Sequence, residues 1–376
     1  MKEVVFVGSA FVAKYPEGGG NFSVVLQYLL GLRAMGLRGV WVEVMPCAGP
    51  DSSRLAKTFH RRLKYFGLEK NYHLLVCSQG QEGGPFTTTY GLSAKEFKNL
   101  LAGPNTLLNL SYSLRSPFLE SFGRRILCSL DPTEICFWMQ RMEMGQSFHH
   151  EFASIGLNVS EEDSRVPVSP VRWKKYFPLV DTALLQPIER PEVDCFTTVG
   201  QWYWDGSIEW DGRWRDFSKK AAFEQFLELP RQMPSAQWKL AMNLSEGDPE
   251  IERLKALGWH FVHPHQIART PQRYYEFLKA STAEFTAVKL ESFARSGWLS
   301  DRSAAYLALG RPVITESTGA EPYLPDQSGF FFVGNLAEAN DAARRVLLDW
   351  KALTRSAREC AMECFDAKKN LRSLLG

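Results

Sequence analysis

Short apolar runs alternate with helix-period segments along most of the chain. Residues 4–7 read as a buried strand, followed by a Gly18-Gly19-Gly20 loop, an amphipathic helix over about 21–35 and a second apolar run at 40–44. Strand, loop, helix and strand in that order open a doubly wound parallel sheet. Runs at 72–77, 106–110 and 125–130 predict further strands, with a helix over 93–101 between the first two. Pro-rich Gln186-Pro187-Ile188-Glu189-Arg190-Pro191 reads as a linker, and residues 195–200 restart the alternation. Strands follow at 238–242, 259–262 and 284–288, a helix at 271–279, and helices again from about 336. The pattern predicts a first domain over 1–187, a second over 188–355, and a closing helical segment over 356–376.

At 376 residues both domains can bury their own core. Lys+Arg of 44 against Asp+Glu of 42 leaves a net charge of +2, which argues against a nucleic-acid partner. Seven cysteines without a Cys-x-x-Cys pair read as reduced core residues. The start of the chain lacks the long apolar region of a signal peptide, and no run approaches a membrane span, so a cytoplasmic protein is expected. One segment, with Arg54, Lys57, Arg61, Arg62 and Lys64 between Leu55, Phe59, Leu63 and Phe66, reads as a basic amphipathic helix. Peripheral contact with an anionic membrane is its minority reading, an ordinary surface helix its commoner one.

The densest chemistry lies between Ala283 and Pro325. After the strand comes Lys289, then Arg295-Ser296-Gly297-Trp298-Leu299-Ser300-Asp301-Arg302-Ser303, a helix, Gly310-Arg311-Pro312-Val313-Ile314 and Ser317-Thr318-Gly319. Ser300 or Asp301 can cap the helix, and Gly310 with Pro312 stops it. A helix N-terminus with hydroxyls and a guanidinium is suited to an anion such as a diphosphate. Lys289 and Arg302 are the cations placed to stabilise an anionic leaving group.

At these residues the chain resembles the donor-binding half of the GT-B glycosyltransferases. The resemblance implies two Rossmann-like β/α/β domains facing a central cleft, a nucleotide-sugar donor held by the second, and an acceptor, small molecule or glycan, held by the first. It implies donor contacts from Gly19 and Gly20, from Lys219 (with Lys220 as its competitor), and from Ser296, Gly297, Ser300, Asp301, Arg302 and Ser303. The loop holding Val262, His263 and Ile267 stands where that superfamily reads the base. A UDP-sugar is weakly favoured. The Glu-x7-Glu pair of many retaining members is missing, with Gly297 and Ala305 in its place. Retention and inversion therefore both stay open. No Asp-x-Asp occurs, which argues for transfer without an obligatory metal or other cofactor.

For an inverting route, His150 would activate the acceptor, with Asp131 as the rival base and His149 beside the first. Trp202 and Trp204, in an aromatic segment punctuated by Asp-Gly pairs, suit both a packed hairpin and acceptor stacking. Two further readings share these features: a nucleotide-sugar epimerase and a nonenzymatic nucleotide-sugar binder. Glu43, ending the second strand, keeps a dinucleotide-dependent dehydrogenase open as a weaker alternative.

Overall fold

Val4, Val5, Phe6 and Val7 are buried, as a strand covered on both faces by helices requires. They belong to a computed structural model that describes residues 3–46, 49, 51–78, 81–204, 207–210 and 212–376. The chain divides into two compact units. The first comprises Met1–Ser160, Val166–Asp181 and Asp366–Gly376; the second comprises Glu161–Arg165 and Thr182–Phe365.

The first unit holds an eight-stranded sheet of β1 (Val4–Ser9), β2 (Arg38–Pro46), β3 (Tyr72–Cys77), β4 (Phe86–Gly91), β5 (Asn105–Leu110), β6 (Arg124–Ser129), β7 (Glu151–Ser154) and β8 (Trp173–Lys175). Its order is β4-β3-β2-β1-β5-β6-β7-β8, parallel throughout except for β4 at one edge. Winding runs outward from β1 through β2 and β3, then reverses and leaves through β5, so the order switches between β1 and β5. Strands β4, β7 and β8 carry no apolar run that would mark them; β4 reads Phe-Thr-Thr-Thr-Tyr-Gly, the composition of an exposed edge. The helix Ala94–Leu101 opens with a full capping box. Ser93 Oγ accepts the Glu96 N–H at 3.2 Å, and the Ser93 N–H donates to Glu96 Oε2 at 3.0 Å.

The helix Ala367–Leu375 also belongs to this unit, packing on the helix Gly19–Ala34. The approach is close because Gly31 has no side chain. A Cβ there would lie 2.6 Å from Leu371 Cδ1 and 2.9 Å from the Ala367 Cβ. Gly31→Val should therefore force the two helices apart and destabilise the protein by about 1–3 kcal/mol, measurable by urea unfolding.

The second unit has a six-stranded parallel sheet of β9 (Cys195–Gly200), β12 (Gln237–Met242), β13 (His260–Phe261), β14 (Ala283–Thr286), β15 (Val313–Glu316) and β16 (Phe330–Val333). A separate antiparallel hairpin joins β10 (Ser207–Trp210) to β11 (Arg213–Asp216). The sheet order β13-β12-β9-β14-β15-β16 places its switch between β9 and β14. Phe196, Trp238, Trp259 and Phe285 fill the core beneath, with Phe196 and Trp238 stacked at 4.5 Å. The hairpin agrees with the aromatic segment, although Asp205, Gly206 and Asp211 of the Asp-Gly pairs lie outside the described residues. Cys47 lies outside them too; none of the other six cysteines is in a disulfide, five being buried and Cys364 half-buried. Among the described residues no helix is long and apolar enough to cross a membrane.

Candidate functional site

Ligands of open α/β sheets bind beyond the carboxyl ends of the strands at the switch point. In the second unit that position falls at Val199 and Gly200 of β9 and at Thr286 of β14, where the sequence puts its charged side chains together. Arg302, second residue of the helix Asp301–Ala308, turns inward. Its Nε donates to Glu284 Oε1 at 2.5 Å, Nη1 to the Val199 carbonyl at 2.8 Å and Nη2 to Thr286 Oγ1 at 3.1 Å. Glu284 is fully buried and the Arg302 side chain 14 % exposed. Burial opposes the guanidinium's charge, but the neighbouring Glu284 carboxylate outweighs it and raises the pKa.

Lys219 stands beside this pair, at the start of the helix Lys219–Phe223. Its Nζ donates to Thr286 Oγ1 at 3.0 Å and to the Ala287 carbonyl at 2.5 Å. Burial, reinforced by the Arg302 charge, holds the ammonium well below the ordinary lysine range, only partly offset by Glu284. Glu316, ending β15, accepts the Val288 N–H at 3.1 Å and Gln225 Nε2 at 3.1 Å. Its carboxyl is raised by burial. Beneath lies a hydroxyl relay, with Thr197 Oγ1 2.5 Å from Ser281 Oγ and 2.6 Å from Tyr306 Oη. Glu284, Thr286 and Glu316 escaped the sequence reading, although acids at Glu284 and Glu316 in otherwise apolar strands were a visible signal.

The expected anion cradle is built differently from its sequence outline. Ser296, Ser300 and Ser303 are buried, Asp301 is half-buried, and the Ser300 hydroxyl accepts the Arg302 N–H at 3.2 Å. Gly297, at φ +70°, donates its N–H to the Thr318 carbonyl at 2.7 Å. With all three guanidinium nitrogens engaged inside the protein, Arg302 acts as a support of the site. Lys289 is exposed, precedes the short helix Leu290–Ala294 and lies near enough for its charge to act on Lys219.

The base-reading loop follows β13. Val262 donates its N–H to the Leu240 carbonyl at 2.9 Å; His263 caps the helix Pro264–Ile267 through Nδ1. His263 also lines a cavity of about 490 Å³ with Leu244, Asp248, Ile251, Phe261 and Gln266. Val262 and Ile267 are half-buried beside it. The two tryptophans separate. Trp202 is fully buried with its ring 5.5 Å from Phe223, so it is a core residue with no face for an acceptor, whereas Trp204 is half-buried.

In the first unit, Gly19 and Gly20 begin the helix after β1, and Asp131 is exposed just beyond the carboxyl end of β6. His150 is placed at the opposite end of the sheet, immediately before β7, where Arg125 holds it. Nδ1 accepts the Arg125 N–H at 3.0 Å, and Nε2 lies 3.2 Å from Arg125 Nη2. Slight burial and the Arg125 charge lower its pKa. The amino end of a doubly wound sheet is the wrong end for an acceptor, which corrects the assignment of His150 as base. His149 is buried against Asn109, and burial pushes it down to about 4. Glu43 is fully buried and accepts the Ser9 hydroxyl, the Val12 and Ala13 N–H groups at 2.8 Å and Trp41 Nε1 at 3.0 Å. Its oxygens clamp the loop after β1 and leave none for a ribose, which removes the basis of the dehydrogenase alternative.

Two such units in one chain define the GT-B fold of glycosyltransferases, in agreement with the resemblance read from the sequence. No protein-family model and no curated protein matches the chain. Solved structures do. An alpha-glucosyltransferase in complex with UDP and a 13-mer DNA containing a central A:G mismatch is 10 % identical, with all of this chain and 99 % of that one covered at a TM-score of 0.62. Sucrose-phosphate synthase from Thermosynechococcus elongatus is 12 % identical over 100 % and 98 % of the two chains, at 0.55. Anabaena HepE in complex with UDP and glucose is 10 % identical over 100 % and 99 %, at 0.54. These comparisons also correct the partner expectation. Alpha-glucosyltransferase has been solved on DNA with a mismatch and on DNA with an abasic site, so a protein of this fold can take nucleic acid and the expectation of no such partner does not stand.

Proposed function

We propose that the protein is a glycosyltransferase that moves a sugar from a nucleotide-diphosphate-sugar to an acceptor, with the donor held by the second unit. The observation that carries this reading is the buried Lys219–Arg302–Glu284 cluster at the switch point of a GT-B sheet, since perturbed titratable groups gather where chemistry is done. In this reading Lys289 meets the diphosphate directly and Lys219 supplies positive potential from beneath, so charge developing on the leaving oxygens falls where cations already stand. Arg302 and Glu284 fix Thr286, which in turn orients Lys219. The cavity lined by His263, Phe261 and Gln266 receives the base; a UDP-sugar is the first donor to try, because similar structures hold UDP. If the reaction inverts, Asp131, just beyond the carboxyl end of β6, is the carboxylate we assign to take the acceptor proton. The absence of an Asp-x-Asp pair from the sequence favours transfer that persists in a chelator.

Thermal shift against UDP-, GDP-, dTDP- and ADP-sugars tests the reading, because a ligand selective for the folded state raises the melting temperature. One donor should raise it clearly and be turned over. Lys289→Ala, at an exposed position, should keep the parent melting temperature and lose about 10²-fold in turnover, the scale of one lost leaving-group contact. No shift with any nucleotide-sugar would refute the assignment.

A further inference from the structure

The first unit carries a surface that the donor reading does not use. On the helix Asp51–Tyr65 five cationic side chains, Arg54, Lys57, Arg61, Arg62 and Lys64, face a single carboxylate, Asp51, in a chain whose net charge is only +2. Two of the five are spent locally: Arg54 pairs with Asp51 at 3.1 Å, and Arg62 turns inward to the Pro16 carbonyl. Lys57, Arg61 and Lys64 are exposed and none is ion-paired among the described residues; Arg61 donates only to Thr58 Oγ1 at 3.3 Å. Spaced i, i+4, i+7, they lie along one face of the helix.

That face borders a groove of about 500 Å³ lined by Lys57, His60, Arg61, Tyr72, Tyr90 and Gly91. Tyr90 comes from the edge strand β4 and is half-buried; Tyr72 is buried with its hydroxyl 3.1 Å from His60 Nδ1. Cations in a row beside an accessible aromatic ring are the elements that bind a phosphodiester backbone and stack an unpaired base. We infer that the groove between the helix Asp51–Tyr65 and the β3–β4 edge takes a single strand of nucleic acid. The phosphates would run along Lys57, Arg61 and Lys64, with a base on Tyr90. A bilayer is the poorer occupant, because Leu55, Ala56, Phe59 and Leu63, the apolar side such a helix would insert, are all buried in the core.

Anisotropy of a labelled oligothymidylate with the full chain tests this. Three neutralised phosphates predict a log–log salt slope of about −2, close to a 20-fold loss of affinity between about 50 and 200 mM salt. Lys57→Glu with Arg61→Glu should weaken binding at least about tenfold and flatten the slope towards about −0.7. Tyr90→Ala should weaken it about fivefold or more while leaving the slope unchanged. Lys57→Gln with Arg61→Gln, which keeps much of the side-chain stems, should reproduce most of the charge effect. The melting temperature and its increase with nucleotide-sugar, read on the same variants, should stay at parent values, so failure here is distinguishable from failure of the donor reading. Parent-like binding by the reversed-charge variant, a slope near zero, or binding to phosphatidylserine vesicles without binding to the oligonucleotide would each overturn the inference.

Discussion

Replacing Glu284 with alanine is expected to destabilise the protein by about 3–5 kcal/mol, the cost of stranding a buried charge. Arg302 donates to Glu284, Val199 and Thr286 from a position where its side chain is 14 % exposed, and Glu284 is the carboxylate ion-paired with it. Removing that carboxylate leaves the guanidinium buried against neutral acceptors and beside Lys219, with which it shares Thr286 Oγ1. Urea unfolding of the full chain would measure the loss as a lower midpoint at an unchanged slope. Glu284→Leu combined with Arg302→Met should recover most of it, since neither charge then needs a partner. If Glu284→Ala unfolds at the parent midpoint, the pair is not what holds β14 to the helix behind it. The same geometry changes the meaning of an Arg302 substitution, which should cost stability first and activity through displacement of Thr286.

Lys219→Met is expected to do the reverse, gaining stability at neutral pH and losing about 10²-fold in turnover, the scale of an electrostatic contact made to a leaving group. The folded-state pKa of Lys219 lies well below the ordinary 10.5, so between those two values the unfolded chain holds a proton that the folded one lacks. Stability contributed at this position therefore rises as pH rises through that window, and the penalty is complete below the folded pKa. The advantage of the methionine variant should be largest at the acid end and fade towards pH 10.5. Melting curves across pH with parent and variant side by side would show the convergence. A site that keeps an uncomfortable lysine for its chemistry should behave in this way. Equal turnover by the variant would remove Lys219 from the mechanism.

Much of the fold could be read from periodicity, because parallel strands buried on both faces are unbroken apolar runs. β1, β2, β3, β5 and β9 were all visible in this way. β8 spans three residues, too few for any period, and β4 is polar because it is an edge, whereas the run at 259–262 does mark the short β13. The site was harder to read. Ser300-Asp301-Arg302-Ser303 marks a helix start correctly, yet a start signal does not say which way the second side chain turns. The motif suggests an Arg302 that reaches out to a ligand, and it reaches in because Glu284, the buried second residue of β14, demands a counter-charge. Trp202 and Trp204 are two positions apart and look equivalent in sequence, while packing against Phe223 takes one of them out of reach of any acceptor. His150 failed for a topological reason: only the sheet order shows which end of a strand a residue occupies.

The fit of Leu371 and Ala367 over Gly31 also bears on how the molecule is made. On the ribosome the helix Gly19–Ala34 appears hundreds of residues before the segment that covers it, and a whole second unit is synthesised in between. The half that begins to collapse earliest is thus finished last, and one face of its first helix stays uncovered until translation reaches the segment that packs on it.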